Sequence, residues 1–516
     1  MIKKPIDFLM VYPHQDIQAY SQRILLGILE EAGFSVHLLI VPAISGIQNN
    51  LQLRDSFLKM VEQSRIIGFG FMSNSYESAS YLTKLIKSNF SKNVVWGGPH
   101  CTTNYQKVVG EADAIFIGES DRILPRYVEA VINSKSIEGL PQIVTQKASF
   151  IPPQRDCFVE NLDELPVPFY SKDGQTLISD YLEDSPEYFR SHFGELHIMT
   201  ARGCPYSCTY CSNSYQGRFI PAGVKHLRRR SVGHVIREIH HCQEAYYLPT
   251  IAIEDDLFLA RDNKDLELFV EKYNQEVVLP ISITGVTASF LDQEKVRIIR
   301  KLPLTSLRVG IQTMSEKGLA LYERKVVNKN MEYALKHRQG FPKHVLMRYD
   351  IILDNPYEDV ADYVKTLRFI SRLSRPYGLN LFHLTLHEGT QLRAKAIADG
   401  FIDAKDLSYI SRPFGKYDDT YINTLFRLLQ VTLGFVPSVL MVWLTSSWVL
   451  NRKWLQKFLK MLLDAMVYIL EKLSFKAITY RFYCLVSGKY GWSWLRRKYL
   501  SSMQHWRKKT KDGGRV

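Results

Sequence analysis

The sequence predicts an α/β chain in three parts: a doubly wound parallel sheet, a partial barrel of strand–helix units, and a helical C-terminal region. Three observations carry this. Short apolar runs alternate with segments of helical period over the first 131 residues. The same alternation returns between residues 196 and 386. Beyond residue 404 the apolar positions repeat at helical spacing alone. Strands bounded by turns and separated by helices build parallel sheets through βαβ units.

In the first region "IDFLMVY" is followed by a helix over "SQRILLGILEEAG" and a strand at "SVHLLIV". Then come "RIIGFGF", a helix from Tyr76 to Asn89, "NVVW", "DAIFIG" and a helix from about Arg122. Five such strands suit a flavodoxin-like domain over residues 1–135, which binds ligands at the carboxyl ends of its strands. Those ends read "YPHQD", "FMSNS", "WGGPH" and "GES". Residues 136–190 are rich in Pro and Asp ("IPPQRD", "LDELPVPFYSKDG") and read as a linker with short strands at most. Within residues 191–403 the predicted strands are Leu196–Thr200, Thr250–Glu254, Ile281–Gly285, Ser306–Ile311, Val345–Leu353 and Leu381–Leu386. Six βα units imply a partial (β/α)6 barrel. Residues 404–516 form the helical region.

Apolar residues make up 46 % of the 516 and charged residues 23 %, ordinary for a globular chain. The opening "MIKKPIDFLMVYPHQD" has two lysines before a short apolar run and no small-residue cleavage site. It reads as a first strand rather than a signal peptide, and a cytoplasmic location is expected. In a reducing compartment clustered cysteines favour metal over disulfides. The net charge of +14 is concentrated in the tail: residues 451–516 hold 16 Lys and Arg against Asp464, Glu471 and Asp512. No nucleic-acid recognition fold accompanies that basic stretch.

"ARGCPYSCTYCSNSY" sets Cys204, Cys208 and Cys211 at C-x3-C-x2-C just after the first barrel strand. That rim is where barrel enzymes carry chemistry. Soft thiolates select zinc or iron–sulfur. A zinc ribbon needs a second C-x2-C pair, and there is none. Cys242 could serve as a fourth ligand but falls in a predicted helix, and Cys101, Cys157 and Cys484 are scattered. A 4Fe–4S cluster usually takes four cysteines. Held by three, it keeps one iron open, and an open position separates a catalytic metal from a structural one.

With Tyr210 before the last cysteine, this motif at the first strand of a partial barrel resembles the radical S-adenosylmethionine superfamily. The resemblance implies a 4Fe–4S cluster on Cys204, Cys208 and Cys211 whose open iron chelates S-adenosylmethionine. Reductive cleavage would then give a 5′-deoxyadenosyl radical that abstracts hydrogen from substrate. It places Tyr210, Asp255 and Asp256 of "IAIEDDLF", and Gln312 and Thr313 of "VGIQT", at the S-adenosylmethionine site. Asp255 and Asp256 would accept from the ammonium group; the bland alternative is a helix N-cap. Gln312 would meet the ribose hydroxyls; the bland alternative is a solvated rim residue. "LDNPYED" keeps Pro356 and Glu358 of a Gly-x-Pro-Gly-Glu-like turn but has Tyr357 for its second Gly.

The preceding flavodoxin-like domain is similar to that of the cobalamin-binding class of these enzymes, over roughly residues 5–400. This implies bound cobalamin near Ser73, Gly97, Gly98, Gly118 and Glu119. The usual Asp-x-His-x-x-Gly motif is broken, with Tyr12 for Asp and Ile17 for Gly, so His14 reads as a loop histidine rather than a cobalt ligand. The alternative is a degenerate domain that only shapes the substrate entrance.

The expected activity is methylation of an unactivated carbon, or a related radical modification, on a small or lipid-like metabolite. A flavodoxin- or ferredoxin-type partner would supply electrons. A methylthiotransferase needs three further N-terminal cysteines, whereas only Cys101 and Cys157 precede Cys204. An iron–sulfur electron carrier does not explain polar residues at successive strand ends. No residue is named as a proton donor. In the tail, Leu428–Leu450 is uncharged and long enough to span a bilayer, though Gln430, Gly434 and Pro437 interrupt it. The helical segment that follows, with six of seven tryptophans between Trp443 and Trp506, suits peripheral membrane contact or a soluble cap on the barrel.

Overall fold

A computed structural model describes residues 5–475, apart from 15, 42–43, 149, 172, 179–182, 185–192, 326–330, 337–339, 343 and 404–415. In the first sheet β1 (Ile6–Tyr12), β2 (Val36–Ile40), β3 (Ser64–Gly70), β4 (Asn93–Gly97) and β5 (Ala114–Phe116) run parallel in the order β5-β4-β3-β1-β2. This is the flavodoxin-like order, with its switch point between β1 and β3. Helices on both faces explain why β1 is a near-continuous apolar run, with Phe8, Leu9, Met10 and Val11 all buried.

The Pro- and Asp-rich stretch is woven into that sheet. β6 (Ile143–Val144) pairs antiparallel with β5, β7 (Gln175–Ile178) pairs parallel with β2, and β8 (Glu183–Asp184) pairs with β7. These short strands therefore extend both sheet edges.

The second sheet begins at β9 (Glu195–Ile198), which leads into a hairpin of β10 (Ala201–Arg202) and β11 (Arg228–Arg229). It continues with β12 (Thr250–Ile253), β13 (Ile281–Val286), β14 (Leu304–Gln312), β15 (Leu346–Leu353) and β16 (Tyr377–His383). All six long strands are parallel neighbours in sequence order, a partial (β/α)6 barrel. Burial alternates along β9 and over most of β13 and β14. Leu196, Ile198, Ile281, Ile283, Leu307 and Val309 are buried, while His197, Ser282, Thr284, Arg308, Asp350 and Asn380 are half-buried on the other, concave face. The sixth strand starts four residues before the predicted Leu381, pairing Tyr377 with Met347. Leu384 and Leu386, expected in it, instead enter a satellite cluster under the rim with Tyr322 and Leu392.

The C-terminal helices cover the open edge of the barrel, which would otherwise present unpaired backbone. Gln430 donates to the Leu379 carbonyl at 3.0 Å, and Tyr377 N–H to that of Leu433 at 3.1 Å. The uncharged run Leu428–Leu450 is not one helix. It is divided among the helices Tyr421–Val431, Ser438–Leu444 and Ser447–Leu450. Leu433 (φ 51°) and Gly434 (φ 77°) turn left-handed, and Pro437 follows, so the bilayer-spanning reading is corrected. Among the described residues no helix is long and apolar enough to cross a membrane. The last described helix, Lys453–Lys472, packs on Tyr421–Val431. Most of the basic tail, with Cys484, lies outside the described residues.

Candidate functional site

The three cysteines lie in the loop that joins β10 to β11. Gly203 (φ 88°) opens it: a Cβ there would stand 1.8 Å from the His226 carbonyl oxygen, so only glycine lets the two ends of the loop cross. Cys208 is buried, and Cys204 and Cys211 are half-buried. Cys211 N–H donates to the Cys208 carbonyl at 3.0 Å. Burial pushes the Cys204 and Cys211 thiols up to about 11, and the neighbouring thiols and Asp256 push the same way. Three thiols and a carboxyl thus converge on one loop, with the Arg324 guanidinium beside Cys208.

Among the described residues, no three His, Cys, Asp or Glu side chains close around a single ion. Zinc would draw its sulfurs to about 2.3 Å from one centre. A cubane takes each thiolate on a separate iron, and three soft thiolates on one loop suit that group. Cys242 is excluded as a fourth ligand: it is buried in the helix Val232–Ala245, within the main core.

Two further strand ends converge on this loop. After β12, the Asp255 carboxylate is buried and accepts from the backbone of Thr200 (2.5 Å) and Ala201 (3.1 Å), and from the Thr200 hydroxyl. Asp256 accepts from Asn213 Nδ2 at 2.6 Å, just past Cys211. Burial raises both carboxyls. The adjacent pair is thus divided: Asp255 holds the end of the first barrel strand, and Asp256 stands beside the cysteines. Gly285 (φ 65°) lets β13 pass close, since its Cβ would meet the Asp255 carbonyl oxygen at 1.8 Å.

After β14, Gln312 is half-buried with φ 66°. Positive φ is uncommon outside glycine and clusters at functional sites. Thr313 is buried and donates to Glu358 at 2.6 Å; Ser315 donates to the same oxygen at 2.7 Å, and Asn355 to the other at 2.9 Å. Glu358 therefore latches the loops after β14 and β15 together. Tyr210 packs its ring 4.9 Å from Tyr322, with its hydroxyl 3.5 Å from Arg324 Nη1. The same nitrogen stands 3.7 Å from Cys208 Sγ. Sequence reasoning missed Asn213, Arg324 and the latching role of Glu358, because each acts through residues distant in the chain.

In the first domain Ser73 Oγ lies 2.9 Å from His100 Nδ1. The His100 ring stacks between Phe71 (5.6 Å) and Tyr76 (4.8 Å), and its buried Nε2 has no hydrogen-bond partner among the described residues. Gly98 (φ 97°) is demanded by the protein itself, since a Cβ would come within 2.8 Å of the Phe71 backbone. A Cβ on Gly97 would meet only Phe116, at 3.5 Å. Gly118 (φ 76°) faces Gln142 and Phe219 at the same distance. His14 accepts from Asp16 N–H at 3.1 Å through Nδ1, and its Nε2 lies 3.5 Å from Asn74.

Glu119 is committed to the other domain: it binds Arg202 at 3.0 Å and also Arg228. Arg202 in turn grips Asp121 through both nitrogens, and Lys107 meets Glu388 at 2.6 Å. Asp121 follows β5 and Glu388 follows β16, so the carboxyl ends of both sheets face one another across the cysteine loop.

The Radical SAM superfamily matches residues 198–367. An uncharacterized methyltransferase of Pyrococcus horikoshii is 26 % identical over 373 residues, 70 % of this chain and 76 % of that protein. The cytidylyl-2-hydroxyethylphosphonate methyltransferase of Streptomyces wedmorensis is 24 % identical over 256 residues, 48 % of this chain and 46 % of its own length. The match thus spans about three-quarters of the first relative and under half of the second. Among solved structures, the radical S-adenosylmethionine methyltransferase TsrM of Kitasatospora setae, with cobalamin and a [4Fe-4S] cluster bound, superposes with a TM-score of 0.60. The superposition covers 77 % of this chain and 75 % of TsrM at 16 % identity, a likeness of fold. With its three-cysteine loop at the rim of a partial barrel and the superfamily match across that barrel, the chain carries a Radical SAM domain over residues 198–367, and that domain's cofactors are a 4Fe–4S cluster and S-adenosylmethionine.

Proposed function

We propose that the enzyme transfers a methyl group to a carbon of a small molecule, with cobalamin bound between the two sheets. One observation carries the reading: the carboxyl ends of the flavodoxin-like sheet and of the barrel meet across the cysteine loop, held by Arg202 on Asp121 and Lys107 on Glu388. When bound, the cluster supplies an electron for S-adenosylmethionine cleavage and cobalamin carries the methyl group. The chain's own residues position these groups. Cys204, Cys208 and Cys211 hold the irons. Asp256 accepts from the ammonium of S-adenosylmethionine and Gln312 from its ribose, while Asp255, Thr313 and Tyr210 fix the loops behind them. The low floor at Gly97 and Gly118, with Gly98, Ser73 and His100 Nε2, which has no partner among the described residues, near it, suits a broad ring with polar edges.

The concave face supports a substrate with hydrogen-bonding groups. Arg308 Nε lies 2.8 Å from both Asp350 oxygens, Asn380 donates to Asp350 at 2.8 Å, and Thr284 to Glu254 at 3.2 Å. A flavodoxin- or ferredoxin-type protein is the proposed electron donor. The test is anaerobic turnover with S-adenosylmethionine labelled in its methyl group, using a metabolite extract as substrate pool. The reading requires reductant-dependent 5′-deoxyadenosine and S-adenosylhomocysteine, with label in a product. Formation of 5′-deoxyadenosine without label transfer, in protein loaded with cobalamin, would replace methyl transfer by another radical reaction.

A further inference from the structure

The C-terminal helices leave an apolar face without a partner among the described residues. The helix Lys453–Lys472 turns Leu455, Leu463 and Val467 inward and sets Trp454 (68 % exposed), Phe458, Met461 and Tyr468 (60 %) outward. The preceding helices continue the face with Val439 (79 %), Trp443 and Trp448, whose indoles lie 6.4 Å apart. Soluble monomers rarely expose so continuous a patch without a binding purpose. The charges are sorted around it. Asp464 is paired with Lys460 of the same helix (2.6 Å) and accepts from Thr424 (2.9 Å), and Glu471 pairs with Arg427 (3.2 Å), so both acids of the helix are already engaged. Lys453 and Lys457 are exposed, Arg452 lies over the Trp448 ring and Lys472 over Tyr468. Residues 476–516, which follow this helix in the sequence, add eleven Lys and Arg against one Asp.

We propose that this face docks on an anionic lipid surface, the helix lying in the interface plane with its tryptophans among the headgroups. An apolar helix face flanked by Trp, Lys and Arg is what such surfaces bind, and basic residues beside it gain from negatively charged lipid. A second protein copy would bring the same cations together, which the charge pattern disfavours.

The test is flotation of the full chain with vesicles of phosphatidylglycerol and phosphatidylcholine, and with phosphatidylcholine alone. Binding should be at least about tenfold stronger to the anionic vesicles and should fall as salt rises. The triple variant Trp443→Ser, Trp454→Ser, Phe458→Ser changes only exposed positions and should lose flotation while still cleaving S-adenosylmethionine. Wild-type protein that stays unbound at low salt overturns the proposal. So does a triple variant that floats as well as wild type, which would assign binding to the tail alone. A dimer that the triple variant converts to monomer would give the face to a second copy. Flotation needs no cluster, so it stands or falls apart from methyl transfer.

Discussion

Arg202 and Asp121 form a two-pronged ion pair, with Nη1 and Nη2 at 2.7 and 3.1 Å from the two carboxylate oxygens. Arg202 belongs to the barrel hairpin and Asp121 to the loop after β5, and the carboxylate side chain is only 5 % exposed. Arg202→Ala strands that buried charge and should cost about 3 kcal/mol, read as a lower urea midpoint and faster proteolysis between the domains. Arg202→Lys should recover only part of this, because an ammonium cannot reproduce the planar fork. An unchanged midpoint would show that the pair does not hold the domains together.

Cys204→Ala, Cys208→Ala and Cys211→Ala should each abolish the iron–sulfur absorbance of anaerobically purified protein and reduce 5′-deoxyadenosine formation to background. In the proposed site each thiolate would hold one iron. Chelating the iron from wild-type protein should have the same effect. Full cleavage by the Cys208→Ala protein would remove the cluster assignment.

Neighbouring aspartates should behave differently. Asp256→Ala should keep the cluster and weaken S-adenosylmethionine binding by about 1–3 kcal/mol, the loss of a buried polar partner; Gln312→Ala should fall in the same range. Asp255→Ala should instead lower thermal stability, because it strands the Thr200 and Ala201 backbone donors. Equal binding and equal melting for both aspartate variants would erase the division of roles.

His14→Ala should leave the visible spectrum of bound cobalamin unchanged, since His14 is occupied by Asp16 N–H and faces Asn74. A large spectral shift would identify His14 as a cobalt ligand. Failure of the wild-type protein to take up cobalamin would instead favour a domain that only shapes the entrance.

Acid should unfold the protein early. Burial holds His37, His100 and His234 at about 4, with Arg230 adding to the effect at His234. The unfolded chain binds these protons near pH 6.5 and the native state only near pH 4, so stability falls as pH drops through that window. Each histidine contributes a slope of at most about 1.4 kcal/mol per pH unit. Urea titrations at steps between pH 7 and 4.5 should show this decline, and His37→Gln should flatten it. An identical slope in that variant would mean His37 is protonated in the native state.

The strand–helix alternation was legible because parallel strands buried on both faces must be apolar runs, as in "IDFLMVY" and "SVHLLIV". The grouping of Cys204, Cys208 and Cys211 was legible because three cysteines within eight positions need only one loop. The role of Asp255 was not, since Asp255 and Asp256 are chemically identical in the sequence and only the approach of Thr200 and Gly285 tells them apart. Nor was the reason for Gly98, which answers the backbone of Phe71 27 residues earlier.

By itself, then, the sequence determined the parallel α/β order, the three-thiolate motif and the basic tail, all of which depend on local period, spacing and composition. The tertiary structure decided what depends on long-range approach. It wove Ile143–Val144, Gln175–Ile178 and Glu183–Asp184 into the first sheet, committed Glu119 to Arg202 and Arg228, and turned the tryptophans of the last helices outward. Hydrogen-bond geometry and burial are properties of neighbours in space, and a chain acquires those neighbours only when it folds.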